Sequence, residues 1–183
     1  MQQALVHLAR QGDEEAFADL TRLVGDRLMA IAFRILRDVD RAEDAVQQAL
    51  VTAWRELPAL RDTDRFDAWL RRILVNACYA ESRRRRRWAA NVRILPTDDV
   101  IGRDDIGTVG DRDQLERGFR RLSPEQRAVF VFHHYLGLSL PEVADELGVP
   151  LGTVKSRLHY ATTALRAALE ADARSASSTE RLA

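Results

Sequence analysis

A chain of 183 residues with 46% apolar and 31% charged side chains is long enough for one or two packed domains and too apolar for a disordered polymer. Its 28 basic and 28 acidic residues cancel to a formal net charge of +0, its single cysteine, Cys78, excludes an internal disulfide, and its four scattered histidines lack the ligand spacing of a structural zinc site. No apolar run approaches the roughly 18 residues of a membrane span, and the opening MQQALVHLARQGDEE has neither the basic nor the apolar block of a secretory signal. Expected, therefore, are a cytoplasmic protein with no membrane insertion, no metal, no cofactor and a buried thiol at Cys78.

Helical periodicity fills both ends of the sequence, and no stretch alternates with a period of two for more than a few residues, so an all-α fold is expected. In the first half, Ala42, Ala45, Val46, Ala49, Leu50, Ala53, Trp54 and Leu57 recur at the spacing of one buried helix face, with Asp40 and Glu43 read as its capping pair. A further helix begins after Asp64, carries Asp67 in its first turn and buries Leu70, Ile73, Leu74 and Ala77. Its outward face holds Arg72, Asn76, Tyr79 and the run Arg83 to Arg87. The zero net charge conceals a segregation: residues 71–87 hold seven arginines against Glu81, and residues 97–113 hold six aspartates against Arg103 and Arg112.

Between Asn91 and Gly110 the periodicity dissolves into Pro96, Gly102, Gly107, Gly110 and aspartates, the composition of a flexible linker. Two small helical domains, 1–88 and 113–172, flank an acidic linker at 89–112, and the small polar tail 173–183 is expected to fray. In the second domain, Ser123, Pro124 and Gln126 mark one helix start, and Ser139 with Glu142 marks another. The helix after Ser139 buries Val143, Ala144 and Leu147 and stops at Gly148. The next buries Val154, Leu158, Ala161 and Leu165, giving a helix-turn-helix. Its outward positions, Thr153, Lys155, Ser156, Arg157, His159, Tyr160, Thr162, Thr163 and Arg166, are donors suited to phosphates and base edges.

The stretch LSPEQRAVFVFHHYLGLSLPEVADELGVPLGTVKSRLHYATTALRAAL, above all GVPLGTVKSRLH, resembles domain four of the extracytoplasmic-function sigma factors of bacterial RNA polymerase. GDEEAFADL, DRAEDAVQQALVTAWREL and FDAWLRRILVNACYAESRRRRR resemble domain two of the same family, in the family's order. The resemblance implies a non-catalytic specificity subunit whose partners are core RNA polymerase, promoter DNA and, where one exists, an anti-sigma factor. It implies polymerase docking through Asp40, Glu43, Asp44, Gln47 and Gln48. It implies that Arg61, Asp62, Asp64, Arg72, Asn76, Arg83, Arg84 and Arg85 hold the separated non-template strand of the minus-ten element, with a base flipped into a pocket. Thr153, Lys155, Ser156, Arg157, His159 and Arg166 would read the minus-thirty-five duplex. The chain departs from the family at Ala80, where an acidic residue is frequent, and at Tyr160, Thr162 and Thr163, where basic residues are common.

Two other classes compete. An enzyme would have to use His133, His134 and Cys78, but adjacent helical histidines point about 100° apart and no third ligand stands one turn from either. A dimeric helix-turn-helix repressor or activator uses the same second domain, and stoichiometry on DNA separates it from a sigma factor, which joins polymerase as one copy.

Overall fold

The computed structural model describes the backbone of residues 1–91 and 111–180 and the side chains of 1–88 and 116–170. Among the described residues every regular element is helical, as the periodicity requires. The chain divides into two compact units, the first built mainly on Met1–Arg93 and the second on Ile94–Ala144 and Val149–Ala183.

In the first unit, α1 (Gln2–Arg10) turns through Gly12, φ 95°, into α2 (Glu14–Leu36), whose N-cap Asp13 accepts from the Ala16 amide at 2.9 Å. Arg37 closes α2 in the left-handed region at φ 56°, a conformation that costs a non-glycine residue roughly 1–2 kcal/mol. Asp38 is then extended and caps α3 (Val39–Glu56) by accepting from the Arg41 amide at 3.1 Å. The cap is therefore Asp38 rather than the expected Asp40, because the left-handed Arg37 reverses the chain and lets helix resume at once. Two 3₁₀ turns, Leu57–Ala59 and Thr63–Arg65, lead to α4 (Phe66–Asn91).

Leu20, Val24, Leu28, Ile31 and Ile35 of α2 meet the small face Ala42, Ala45, Ala49 and Ala53 of α3 in the core. Phe66, Leu70, Leu74, Val75 and Cys78 of α4 complete it, and each large apolar side chain so buried contributes about 1.5–3 kcal/mol. Ile73 and Ala77, expected inside, are only half-buried, and Val75 and Cys78 take their place because α4 packs against both α3 and α2 and so turns a wider face inward.

The second unit begins with α5 (Asp111–Arg121), followed by α6 (Pro124–Phe130), on which Ser123 and Gln126 form the reciprocal capping box expected of them. Arg127 is buried, donating Nε to Phe119 O at 2.8 Å and Nη2 to Arg120 O at 3.1 Å, so one side chain satisfies carbonyls at the end of α5. A π-helical turn, Val131–Tyr135, follows α6. Next come α7 (Leu140–Leu147) and α8 (Leu151–Glu180). The helix at either edge reaches into segments read as irregular: α4 includes 89–91, α5 includes 111–112, and α8 runs on past Ala173, since no glycine or proline after Gly152 interrupts it. Residues 92–110, most of the linker, and 181–183 lie outside the described residues. Leu122, Ala161 and Leu165 are buried, with Phe119, Phe130 and Ala164 packed on them, and the Phe119 and Phe130 rings meet edge to face at 5.2 Å. At Gly118 α5 comes so close to α8 that a Cβ would lie 3.0 Å from Leu165 Cδ2 and 3.2 Å from Ala168 Cβ.

Candidate nucleic-acid interface

The capped start and the alanine face of α3 determine which of its side chains meet solvent: Asp40, Glu43, Asp44, Gln47 and Gln48 are all exposed, the opposite side of the helix from Ala42, Ala45 and Ala49. They form a stripe of carboxylates and amides, continued along the same face by the exposed Val51.

On α4, Arg72, Asn76, Arg83, Arg84 and Arg85 are exposed. Positions 72, 76 and 83 fall within about 40° of one another around a helix of 3.6 residues per turn, so Asn76 shares a stripe with two arginines. Tyr79, expected on this outward face, is half-buried. Arg84 lies on the other side, toward α3. Its Nη2 donates to Asp44 Oδ2 at 3.1 Å, and its Nε is 3.0 Å from Glu81 Oε2. Glu81 also faces Arg41 Nε at 3.5 Å, and Arg41 Nη2 reaches Ser82 Oγ at 3.5 Å. A chain of alternating charge, Asp44, Arg84, Glu81 and Arg41, thus ties the two helices together where α3 starts and α4 ends.

The loop before α4 is shaped by its own aspartates. Asp62 caps the 3₁₀ turn by accepting from the Asp64 amide at 3.0 Å, and Asp64 Oδ1 accepts from Gln3 Nε2 at 2.8 Å. At the start of α4, Asp67 Oδ1 accepts from Gln2 Nε2 at 2.9 Å and pairs with Arg27 Nη2 at 2.5 Å. Arg61 remains exposed beside this clamp. The residues of α1 that hold the loop were not among the sequence candidates: nothing local in QQALVHLAR marks a partner some sixty positions away.

In the second unit the Ser139 and Glu142 capping box forms, with the Ser139 amide donating to Glu142 Oε2 at 2.8 Å and the Glu142 amide 3.5 Å from Ser139 Oγ. The Ser139 hydroxyl, donating to Glu142 Oε2 at 2.5 Å, and with it the Ser139 amide hold the Glu142 carboxyl below its ordinary range. Gly148, φ 65°, makes the left-handed turn between α7 and α8 that a side chain would resist. On α8 Val154, Ala161 and Leu165 are buried; Lys155, Ser156, His159 and Arg166 are exposed, and Thr153 and Arg157 are half-buried. The Ser156 hydroxyl donates to Thr153 O at 3.0 Å, and that of Thr162 to Leu158 O at 2.9 Å, so both are partly engaged by the helix itself.

His133 and His134 lie in the π-helical turn, with ring centroids 4.7 Å apart and His133 Nδ1 2.8 Å from Leu138 O. Burial, with the neighbouring His133 adding to it, holds the pKa of His134 below its usual value. Cys78 is fully buried, and desolvation pushes its thiol up to about 12. Among the described residues no group of three or more His, Cys, Asp or Glu side chains could hold a metal ion, and no helix is long and apolar enough to cross a membrane.

Residues 20–88 match the family model for sigma-70 region 2, and residues 112–165 match that for sigma-70 region 4. The sequence is 36% identical over 166 residues to the ECF RNA polymerase sigma factor SigL of Mycobacterium tuberculosis, covering 87% of this chain and 94% of that protein. The chain belongs to the extracytoplasmic-function sigma factors. It is also 27% identical over 169 residues to SigW of Bacillus subtilis, across 86% of this chain and 90% of that one. The crystallised sigma factor RpoE of Bartonella quintana, solved with the anti-sigma factor NepR, shares 29% identity at a TM-score of 0.68, covering 85% of this chain and 98% of that chain. As a sigma factor the protein serves transcription initiation by RNA polymerase, in a family that supplies specificity to the polymerase rather than catalysis. The exposed face of α3 and the arginine-rich part of α4 both fall within the sigma region 2 match, and α7 with the start of α8 falls within the region 4 match.

Proposed function

We propose that the unit formed by α1 to α4 works as sigma domain two and the unit holding α5 to α8 as sigma domain four, the chain acting as a non-catalytic cytoplasmic subunit that gives core polymerase its promoter. Asp40, Glu43, Asp44, Gln47 and Gln48 of α3 dock on polymerase. Asn76, Arg72 and Arg83 on one stripe of α4, with Arg84, Arg85 and the loop of Arg61, Asp62 and Asp64, hold the separated minus-ten strand. In this reading Asp62 and Asp64 act through loop shape, since both carboxylates already accept hydrogen bonds from the protein. Thr153, Lys155, Ser156, Arg157, His159 and Arg166 enter the major groove of the minus-thirty-five duplex. Residues 89–112 link the two, and an anti-sigma factor, as in the complex of the Bartonella relative, covers the free protein.

The observation that carries this reading is the division of α3 and α4 into apolar inner faces, alanine on α3 and larger side chains on α4, and outer faces of opposite character, carboxylate and amide on α3 and guanidinium and amide on α4. A separated strand needs cations along its backbone and polar groups at its bases, and a protein surface docked beside DNA does not.

The test is binding of the free chain, core polymerase and their mixture to one duplex carrying both promoter elements. Sequence-specific binding by the mixture, with one copy of the chain per polymerase, is expected. Tight, specific binding by the free chain as a dimer would replace this reading with that of a repressor.

A further inference from the structure

An open groove of ≈ 320 Å³ lies where the start of α3 meets the end of α4, lined by Arg41, Glu81, Arg84, Arg85 and Trp88. That size is at the lower end for ligand sites, about 300–1,000 Å³. The four residues from α4 stand at i, i+3, i+4 and i+7, so they form one stripe, which faces away from that of Asn76; Trp88 lies about 120° round the helix from Asn76 and about 18 Å further along its axis. Trp88 is 67% exposed. An indole is a costly side chain to leave in water, and one placed beside guanidinium groups presents a flat apolar face next to positive charge.

We infer that this groove takes an unpaired nucleotide of the opened promoter, its base stacked on Trp88 and its phosphate met by Arg84 and Arg85. The inference rests on the minus-ten reading given above and adds to it a second base site, distinct from that of Asn76. Charge supports a nucleotide over an apolar protein segment: three of the five lining side chains are guanidinium groups. Glu81 does not oppose the phosphate freely, because its carboxylate is shared between Arg41 at 3.5 Å and Arg84 at 3.0 Å. The same carboxylate and Asp44 hold one edge of the Arg84 guanidinium, while its side chain, 69% exposed, keeps further donors toward solvent. Stacking on an aromatic ring tolerates any base, so Trp88 supplies affinity and Asn76 supplies choice.

The experiment measures equilibrium binding of reconstituted holoenzyme to a fork-junction promoter with an unpaired non-template strand, for wild type, Trp88→Ala, Trp88→Phe and Asn76→Ala. Trp88→Ala should weaken binding about five- to 150-fold, the range of one lost base stack, with Trp88→Phe retaining most of the affinity. Scanning an abasic position along the strand should find one site where the missing base costs wild type as much as Trp88→Ala does and costs Trp88→Ala nothing further. Unchanged binding by Trp88→Ala, alongside an altered base preference for Asn76→Ala, overturns the groove and leaves the minus-ten reading intact. A Trp88→Ala defect in competition for core polymerase, with strand binding preserved, overturns it in favour of a protein contact. Wild-type holoenzyme that does not distinguish the promoter strand from a scrambled one defeats both.

Discussion

Asp44 and Arg84, forty positions apart, meet between α3 and α4, with Arg84 Nη2 donating to Asp44 Oδ2 at 3.1 Å. A residue proposed to dock polymerase is thereby the counter-ion of one proposed to hold DNA. Both side chains are more than half exposed, and pairs of that exposure contribute about 0–1 kcal/mol, so the contact orients Arg84 more than it stabilises the unit.

Asp44→Arg combined with Gln47→Ala should cost core polymerase binding at least about tenfold while leaving the first unit folded, because both positions project from a helix anchored by Ala42, Ala45 and Ala49. The melting temperature should move by less than about 5 °C, since losing an exposed pair removes at most about 1 kcal/mol. Competition against wild type for core polymerase checks the first expectation and thermal unfolding the second. Undiminished competition by the folded variant would remove α3 from the docking surface.

Asn76 and the pair Arg84 and Arg85 should separate in their effects. Asn76→Ala is expected to flatten preference at one minus-ten base, whereas Arg84→Ala with Arg85→Ala weakens every promoter and lowers the dependence of binding on salt. Transcription from single-base promoter variants at two salt concentrations distinguishes them. The Asn76 role fails if its alanine variant keeps the wild-type preference profile.

On α8, Arg157 is half-buried and Lys155 is exposed, and of the two only the guanidinium has the planar fork that a bidentate contact needs. Arg157→Ala should lower discrimination at one minus-thirty-five base pair by about five- to 150-fold. Lys155→Ala should weaken all sequences alike and reduce the salt slope by about 1. Binding of holoenzyme to a set of minus-thirty-five variants decides, and equal losses across all variants for Arg157→Ala would assign it to phosphate.

Cys78 should resist alkylation in the folded protein and react once denaturant exposes it, because burial raises its pKa from 9.0 to about 12. The folded state keeps its proton where the unfolded state has lost it. The contribution of this group to stability is therefore complete below pH 9 and declines as pH rises from about 9 toward 12. Iodoacetamide labelling with and without denaturant, and unfolding at pH 8 and 10, provide the readouts; rapid labelling of native protein at pH 8 would contradict the buried placement.

Gly118→Val should destabilise the second unit, since a Cβ there already lies 3.0 Å from Leu165 Cδ2 and 3.2 Å from Ala168 Cβ, and overpacking of this kind costs about 1–3 kcal/mol. Gly118→Ala should fare better, its contact being offset by a gain of about 1 kcal/mol in helix propensity. Thermal unfolding of the two full-length variants tests this, and an unchanged melting temperature for the valine variant would show that α5 and α8 are not closely packed at that point.

Much of this architecture is local and therefore legible from sequence alone. The spacing of Ala42, Ala45, Ala49 and Ala53 specifies both the inner face of α3 and, by exclusion, the exposed positions 40, 43, 44, 47 and 48, because a helix places residues three and four apart on one side. The Ser123 and Gln126 and the Ser139 and Glu142 boxes are equally local, each closing within four residues. What the sequence could not decide depends on partners far along the chain. Asp64 is a candidate DNA residue until Gln3, 61 positions away, is seen to occupy it, and Arg84 belongs to the strand surface alone until Asp44 is found beside it. Periodicity likewise places Tyr79 outside, whereas packing of α4 against two helices draws it partly in, and the left-handed Arg37 makes Asp38 the cap where pattern suggested Asp40. Period and capping follow from a few neighbouring dihedrals, but pairing between surface charges follows only from how the helices are laid against one another.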